Sequence, residues 1–193
     1  GIDSPADPED YLTDQEKNYL QNYLDQIAGM PALTPGELEA LTLSAMAGEA
    51  GAAGRLTEAY LGQVADIAKL YTGQGVPLED LIGEGNLALA AGSRLLSGLK
   101  DPEEARGMLA RRIMDAMELH IREAEENGRT DQKAADKVNR VADRARELAG
   151  DLRRKVTPDE LARETGMSLK SIQEAVRISG YKIEDIEDVQ DSV

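Results

Sequence analysis

Apolar residues recur every three to four positions along nearly the whole of this chain, and almost nothing in it alternates with period two. Strand-like runs of Val, Ile and aromatics are missing, so the pattern commits the chain to an all-α fold. Residues 14–28 carry Leu20, Tyr23, Leu24 and Ile27 on one face. Gly29, Met30 and Pro31 break that run, and Thr34, Pro35 and Glu37 then form a capping box for the next helix. A small-residue helix or turn is expected through 54, followed by a helix over 55–72 with Leu56, Tyr60, Val64, Ile67 and Tyr71 at helical spacing. After the loop "TGQGVP" and a helix from Pro77, another helix starts at Asp101-Pro102 and is expected to stop at Gly128, with Leu109, Ile113, Met117 and Ile121 on one face.

The last third repeats these signals. Residues 131–152 present Val138, Val141, Ala145, Leu148 and Leu152 as a stripe. Thr157, Pro158 and Glu160 make a second capping box, Gly166 can close that helix in the left-handed conformation, and Ser168 can cap one more. Two short helices across a glycine turn are a helix-turn-helix pattern, common both as a DNA reader and as a plain packing unit. The expected organisation is a flexible N-terminus (1–9), a multi-helix domain (10–128), a small three-helix domain (129–180) and an acidic, extended or mobile tail or linker (181–193).

Composition narrows the function. No cysteine is present and His120 is the one histidine, so neither thiolate nor ordinary zinc chemistry is expected, and His120 reads as an ordinary helix residue. No apolar run nears the roughly 20 residues of a membrane span, and the N-terminus is acidic and polar, so a cytoplasmic protein without membrane association is expected. The acids lie on solvated helix faces without a catalytic constellation, so no enzyme and no cofactor are expected.

The net charge of −15 opposes phosphate binding by the chain as a whole. It is unevenly spread: residues 1–54 hold ten acids and one base, whereas 131–157 hold eight bases and five acids, the one net basic segment. There, Lys133, Lys137, Arg140 and Arg144 line one flank and are candidate phosphate contacts; Asp136, Asp143 and Glu147 stand close enough to pair with them instead. Lys170 and Arg177, with Gln173 and Glu174, are the outward positions of the last helix, and the two bases are candidate DNA contacts. The chain has six Tyr and neither Phe nor Trp, which leaves little with which to stack bases.

Residues 77–92, "PLEDLIGEGNLALAAG", are the anomaly, because Gly83 and Gly85 interrupt an otherwise helical pattern at roughly 1 kcal/mol each. Gly83, Gly85 and Ala88 fit G-x-G-x-x-A, but that dinucleotide fingerprint must follow a strand, and Pro77 with Glu79 and Asp80 marks a helix start instead. Two explanations stay open. Either the glycines let another helix of the same domain approach, or they let a partner do so.

The wider stretch "RLTEAYLGQVADIAKLYTGQGVPLEDLIGEGNLALAAG" resembles the second conserved region of bacterial RNA polymerase sigma factors of the sigma-70 family. The match includes Tyr71, Thr72, Gly73, Gly75, Leu78, Asp80, Leu81, Ile82, Glu84, Gly85, Asn86 and Leu89. Residues upstream look like the preceding region, and "KVNRVADRARELAGDLRRKVTPDELARETGMSLKSIQEAVRIS" looks like the third. No counterpart of the fourth region is expected within the chain, and Gly1 in place of methionine hints at a trimmed start. The resemblance implies a sigma-type docking domain that binds core RNA polymerase through a coiled coil of its β′ subunit, with Asp80, Leu81, Ile82, Glu84, Asn86 and Leu89 as the contacts. It also implies promoter DNA and an anti-sigma protein as further partners. Gly83 stands where the family carries Gln, and Ala90 where it carries a larger apolar residue; both departures should weaken docking. Arg111 and Arg112 occupy the positions of the family's paired tryptophans and are candidate DNA contacts, but base capture by stacking is not expected in the usual way. Two functions follow: a sigma-factor-like initiation protein, or a degenerate homologue that occupies the polymerase or another regulator without melting DNA.

Overall fold

The computed structural model describes residues 7–187, and its seven α-helices and absence of strands within that span make the fold all-α. The chain divides into two compact units, Gly1–Glu125 and Glu126–Val193. Among the described residues no helix is long and apolar enough to cross a membrane. The expected flexible N-terminus falls largely outside the described residues; Pro8–Tyr11 form a short 3-10 turn, and Glu9 meets Lys69 at 2.8 Å.

In the first unit α1 (Asp14–Ala28) and α2 (Pro35–Met46) each begin in a complete capping box, Thr13 with Glu16 and Thr34 with Glu37. A turn at 47–51 replaces the open choice of helix or turn, and α3 starts at Ala52, three residues before the expected position, and ends at Lys69. The unit's core joins Leu56, Tyr60 and Val64 of α3 to Leu78, Leu81, Ile82 and Leu89 of α4 (Leu78–Ser93). Leu109, Ile113, Met117 and Ile121 complete it from the helix that follows, on the face its spacing predicts.

That helix, α5, runs unbroken from Pro102 to Leu152, which corrects the expected stop at Gly128. One glycine costs about 1 kcal/mol, no proline follows it, and the flanking Glu, Ala, Arg and Lys are good helix formers. At its start the Asp101 carboxylate accepts from the Glu104 N–H at 2.8 Å.

The second unit packs Val141, Ala145 and Ala149 of α5 against Leu161 of α6 (Pro158–Thr165) and Ile172 and Ala175 of α7 (Leu169–Ile178). Leu152, expected on the stripe, is 43% exposed, and Ala149 takes its place. Thr157 caps α6, Ser168 caps α7, and Gly166 ends α6 at φ 76°, as their sequence signals predict. The segment after α7 differs from the extended tail expected of it. Val156 N–H donates to the Asp185 carbonyl at 2.9 Å, Glu187 N–H donates back to Val156 at 2.7 Å, and Ile186 is buried. Its two isoleucines explain the return, because Ile183 and Ile186 cover the small core while the acids face out. Residues 188–193 of that tail lie outside the described residues.

Candidate protein-docking and nucleic-acid faces

Gly83 and Gly85 of α4 lie on opposite faces. A Cβ on Gly85 would sit 2.6 Å from Met117 Cε and 2.7 Å from Val64 Cγ1, so Gly85 is where α3 and α5 approach α4 within the domain. A Cβ on Gly83 would meet nothing within 4 Å. Around Gly83 lie exposed Glu79, Asp80 and Leu87, with Glu84 partly exposed. Leu87 is 68% exposed, an apolar side chain one helical turn beyond Gly83 and Glu84.

Of the six residues expected to contact a partner, Asp80, Glu84 and Asn86 reach the surface, while Leu81, Ile82 and Leu89 do not. Those three are at most 1% exposed, which corrects their assignment as contacts: they occupy the buried stripe and anchor the helix from beneath. Leu87, left out of the expected set, falls opposite that stripe, and its position between Gly83 and Asp80 on the helical wheel is the signal that marks it.

Neighbouring helices fix both edges of this face. On one edge His120 Nδ1 lies 3.8 Å from the Glu84 carboxylate. On the other, the Asn86 Nδ2 amide donates to the Tyr23 hydroxyl at 3.0 Å, and Tyr23 stacks on Tyr19 with centroids 6.2 Å apart. Burial raises the pKa of both tyrosines, and the Glu79 charge adds to it at Tyr19. Pro77, at the N-cap, gives α4 no side-chain cap. Glu16 supplies the missing acceptor from α1: its Oε2 accepts from Leu78 N–H at 2.9 Å, and its Oε1 from Thr13 N–H at 3.2 Å. Sequence reasoning missed Glu16 and Tyr23; the Thr13-x-x-Glu16 spacing signals the first role of Glu16, and nothing local signals its second.

The loop before α4 turns through Gly73 at φ 80° and Gly75 at φ 87°, backbone that other residues rarely adopt. Tyr71, at its start, donates its hydroxyl to Glu118 at 2.7 Å; burial first, then that carboxylate, push its pKa up to about 12.

The basic candidates divide. Arg111 and Arg112 of α5 are exposed, and the stem of Arg112 lies over Gly92, where a Cβ would be 3.0 Å from its Cδ. Lys137 is drawn into an ion pair with Glu174 at 2.9 Å, which ties α7 to α5. Arg144 lies 3.5 Å from Glu147. Asp136 accepts from Gln132, and Asp143 pairs with Arg146, so neither takes up a base of the expected flank. Lys133 and Arg140 stay exposed beside a shallow groove of about 720 Å³ that Lys137, Asn139, Asp136 and Asp143 also line. Lys170 and Arg177 are exposed on α7. Their charges, after the hydrogen bond from Lys137, help hold the Glu174 carboxyl below its usual pKa.

The first unit is all-helical with an acidic, part-apolar exposed helix, and the second holds a capped helix pair with a basic flank. Residues 136–182 match the family model described as sigma-70 region 3. The RNA polymerase sigma factor SigA of a Bacillus species is 30% identical over 163 residues, which cover 83% of this chain and 42% of that protein. SigA of Listeria monocytogenes is 31% identical and SigA of Clostridium acetobutylicum 29%, over the same shares. The chain belongs to the sigma-70 family, and it spans less than half the length of these curated relatives.

Proposed function

We propose that this protein acts in transcription by binding core RNA polymerase through the exposed face of α4, and that it directs the enzyme to promoter DNA. The observation that carries the reading is the division of α4. Leu78, Leu81, Ile82, Gly85 and Leu89 are buried, while Glu79, Asp80 and Leu87 are exposed around Gly83, beside which no atom would obstruct a partner helix. Acids followed by one exposed apolar side chain complement a basic helix such as the β′ coiled coil. The similarity to the RNA polymerase sigma factor SigA of other bacteria supports the same assignment. On the DNA side, Lys133, Arg140, Lys170 and Arg177 are the exposed bases of the second unit that fit phosphate contacts.

The test is the affinity of the immobilised protein for core RNA polymerase. Asp80→Ala with Glu84→Ala, both surface changes, should weaken it about ten-fold or more with the helical circular dichroism unchanged. Unchanged affinity would overturn the reading.

A second reading, occupation of the polymerase without strand opening, has one observation in its favour: no aromatic residue stands anywhere from 72 to 180. Opening of a fluorescent promoter fragment by the complex would eliminate it.

A further inference from the structure

We propose that Tyr23 and Glu16 of α1 are positioning residues for the docking face of α4, an inference that rests on the docking reading above. They reach α4 from 63 and 62 residues away in the chain and act at different points. Glu16 holds the first turn, which carries Glu79 and Asp80, by accepting from Leu78 N–H at 2.9 Å where Pro77 offers no cap. Tyr23 holds the Asn86 amide at 3.0 Å, and the stacked Tyr19 ring restricts Tyr23 in turn. A side chain already fixed before association loses less freedom when the partner arrives, so the contribution of α1 is to affinity as well as to the fold. Neither residue needs to touch the partner.

A double-mutant cycle tests this, with affinity for core RNA polymerase measured where circular dichroism shows every variant fully folded, a condition under which a merely structural role leaves affinity alone. Tyr23→Phe keeps the ring and its stacking and removes only the hydroxyl. It should weaken binding about five-fold. In an Asn86→Ala background the same change should have no further effect. Wild-type affinity for Tyr23→Phe, or an equal loss in both backgrounds, overturns the role of Tyr23. For Glu16, Glu16→Ala should weaken binding about three-fold, whereas Thr13→Ala, which damages the α1 cap but keeps the Glu16 carboxylate, should not. Equal losses overturn it. Asp80→Ala with Glu84→Ala, measured alongside, separates the two failures: if that variant loses binding and Tyr23→Phe does not, positioning alone has failed. If neither loses binding, the docking reading has failed and this inference with it.

Discussion

Helix α4 and the α6–α7 pair solve the same problem by opposite means. Each helix of the pair finds its cap in the residue beside it, Thr157 for α6 and Ser168 for α7, and Gly166 supplies the turn between them. At α4 the cap comes from Glu16, 62 residues away, and its closest packing is against Val64 and Met117 of two other helices. Locally specified helices carry their boundaries in the sequence. A helix whose outer face stays exposed is instead held from behind by distant elements, and its stability belongs to the domain.

The largest expected effect separates these two modes at a glycine. Gly85→Ala should cost about 1–3 kcal/mol in urea unfolding, because Val64 is β-branched and cannot turn aside as the end of Met117 can. Gly166→Ala should cost about 1 kcal/mol, from its φ of 76° alone, with open space around the new methyl. Gly83→Ala, two residues from Gly85, should stabilise by about 0.5–1 kcal/mol. Equal losses at 83 and 85 would break the assignment of their faces.

The caps sharpen the comparison next. Glu16→Ala should cost about 1–2 kcal/mol, since two N–H groups on two helices lose their acceptor. Hydrogen exchange should quicken at the starts of both α1 and α4. Thr157→Ala should cost about 1 kcal/mol and quicken exchange only within residues 126–187.

The smallest effect is one of pH, confined to the second unit. The Arg154 guanidinium, at 2.7 Å, holds the Glu160 carboxyl down to about 2, against 4.5 for a free glutamate. A lowered pKa means the contribution is complete above pH 4.5 and fades as pH falls from there toward 2. Arg154 is exposed and Glu160 partly so, and solvent screening keeps the slope shallow. Following the urea midpoint across that window should show a slope that Glu160→Gln removes.

How much was legible follows from how far each signal travels along the chain. The capping box at Thr34, the cap at Thr157, the close at Gly166 and the core face of Leu109, Ile113, Met117 and Ile121 are local patterns, and the structure has them where the sequence puts them; only the second half of the box at Thr157 is missing, because the Glu160 carboxylate goes to Arg154. The stop at Gly128 was misplaced because one glycine is a weak breaker against strong helix formers on both sides. At the site, Asp80 and Glu84 could be read as surface acids, but Leu81, Ile82 and Leu89 came with them only because a motif does not distinguish residues that meet a partner from residues that hold the helix in place. The basic flank was similarly overcounted: Lys137 is committed to Glu174, on a helix that no spacing within 131–152 could bring to it.

The sequence by itself determined an all-α chain, the ends of most of its helices, and membership of the sigma-70 family, since period, caps and motif are all written within a few turns of helix. Tertiary structure alone decided which of Gly83 and Gly85 faces inward, that Leu87 is the exposed apolar residue of the acidic face, and that Tyr23 and Glu16 hold that face from α1. It also decided that Ile186 returns to close the second core. The physical reason is common to all of these: each depends on atoms brought together across tens of residues by burial of the core, and burial has no period in the sequence of the partner that arrives.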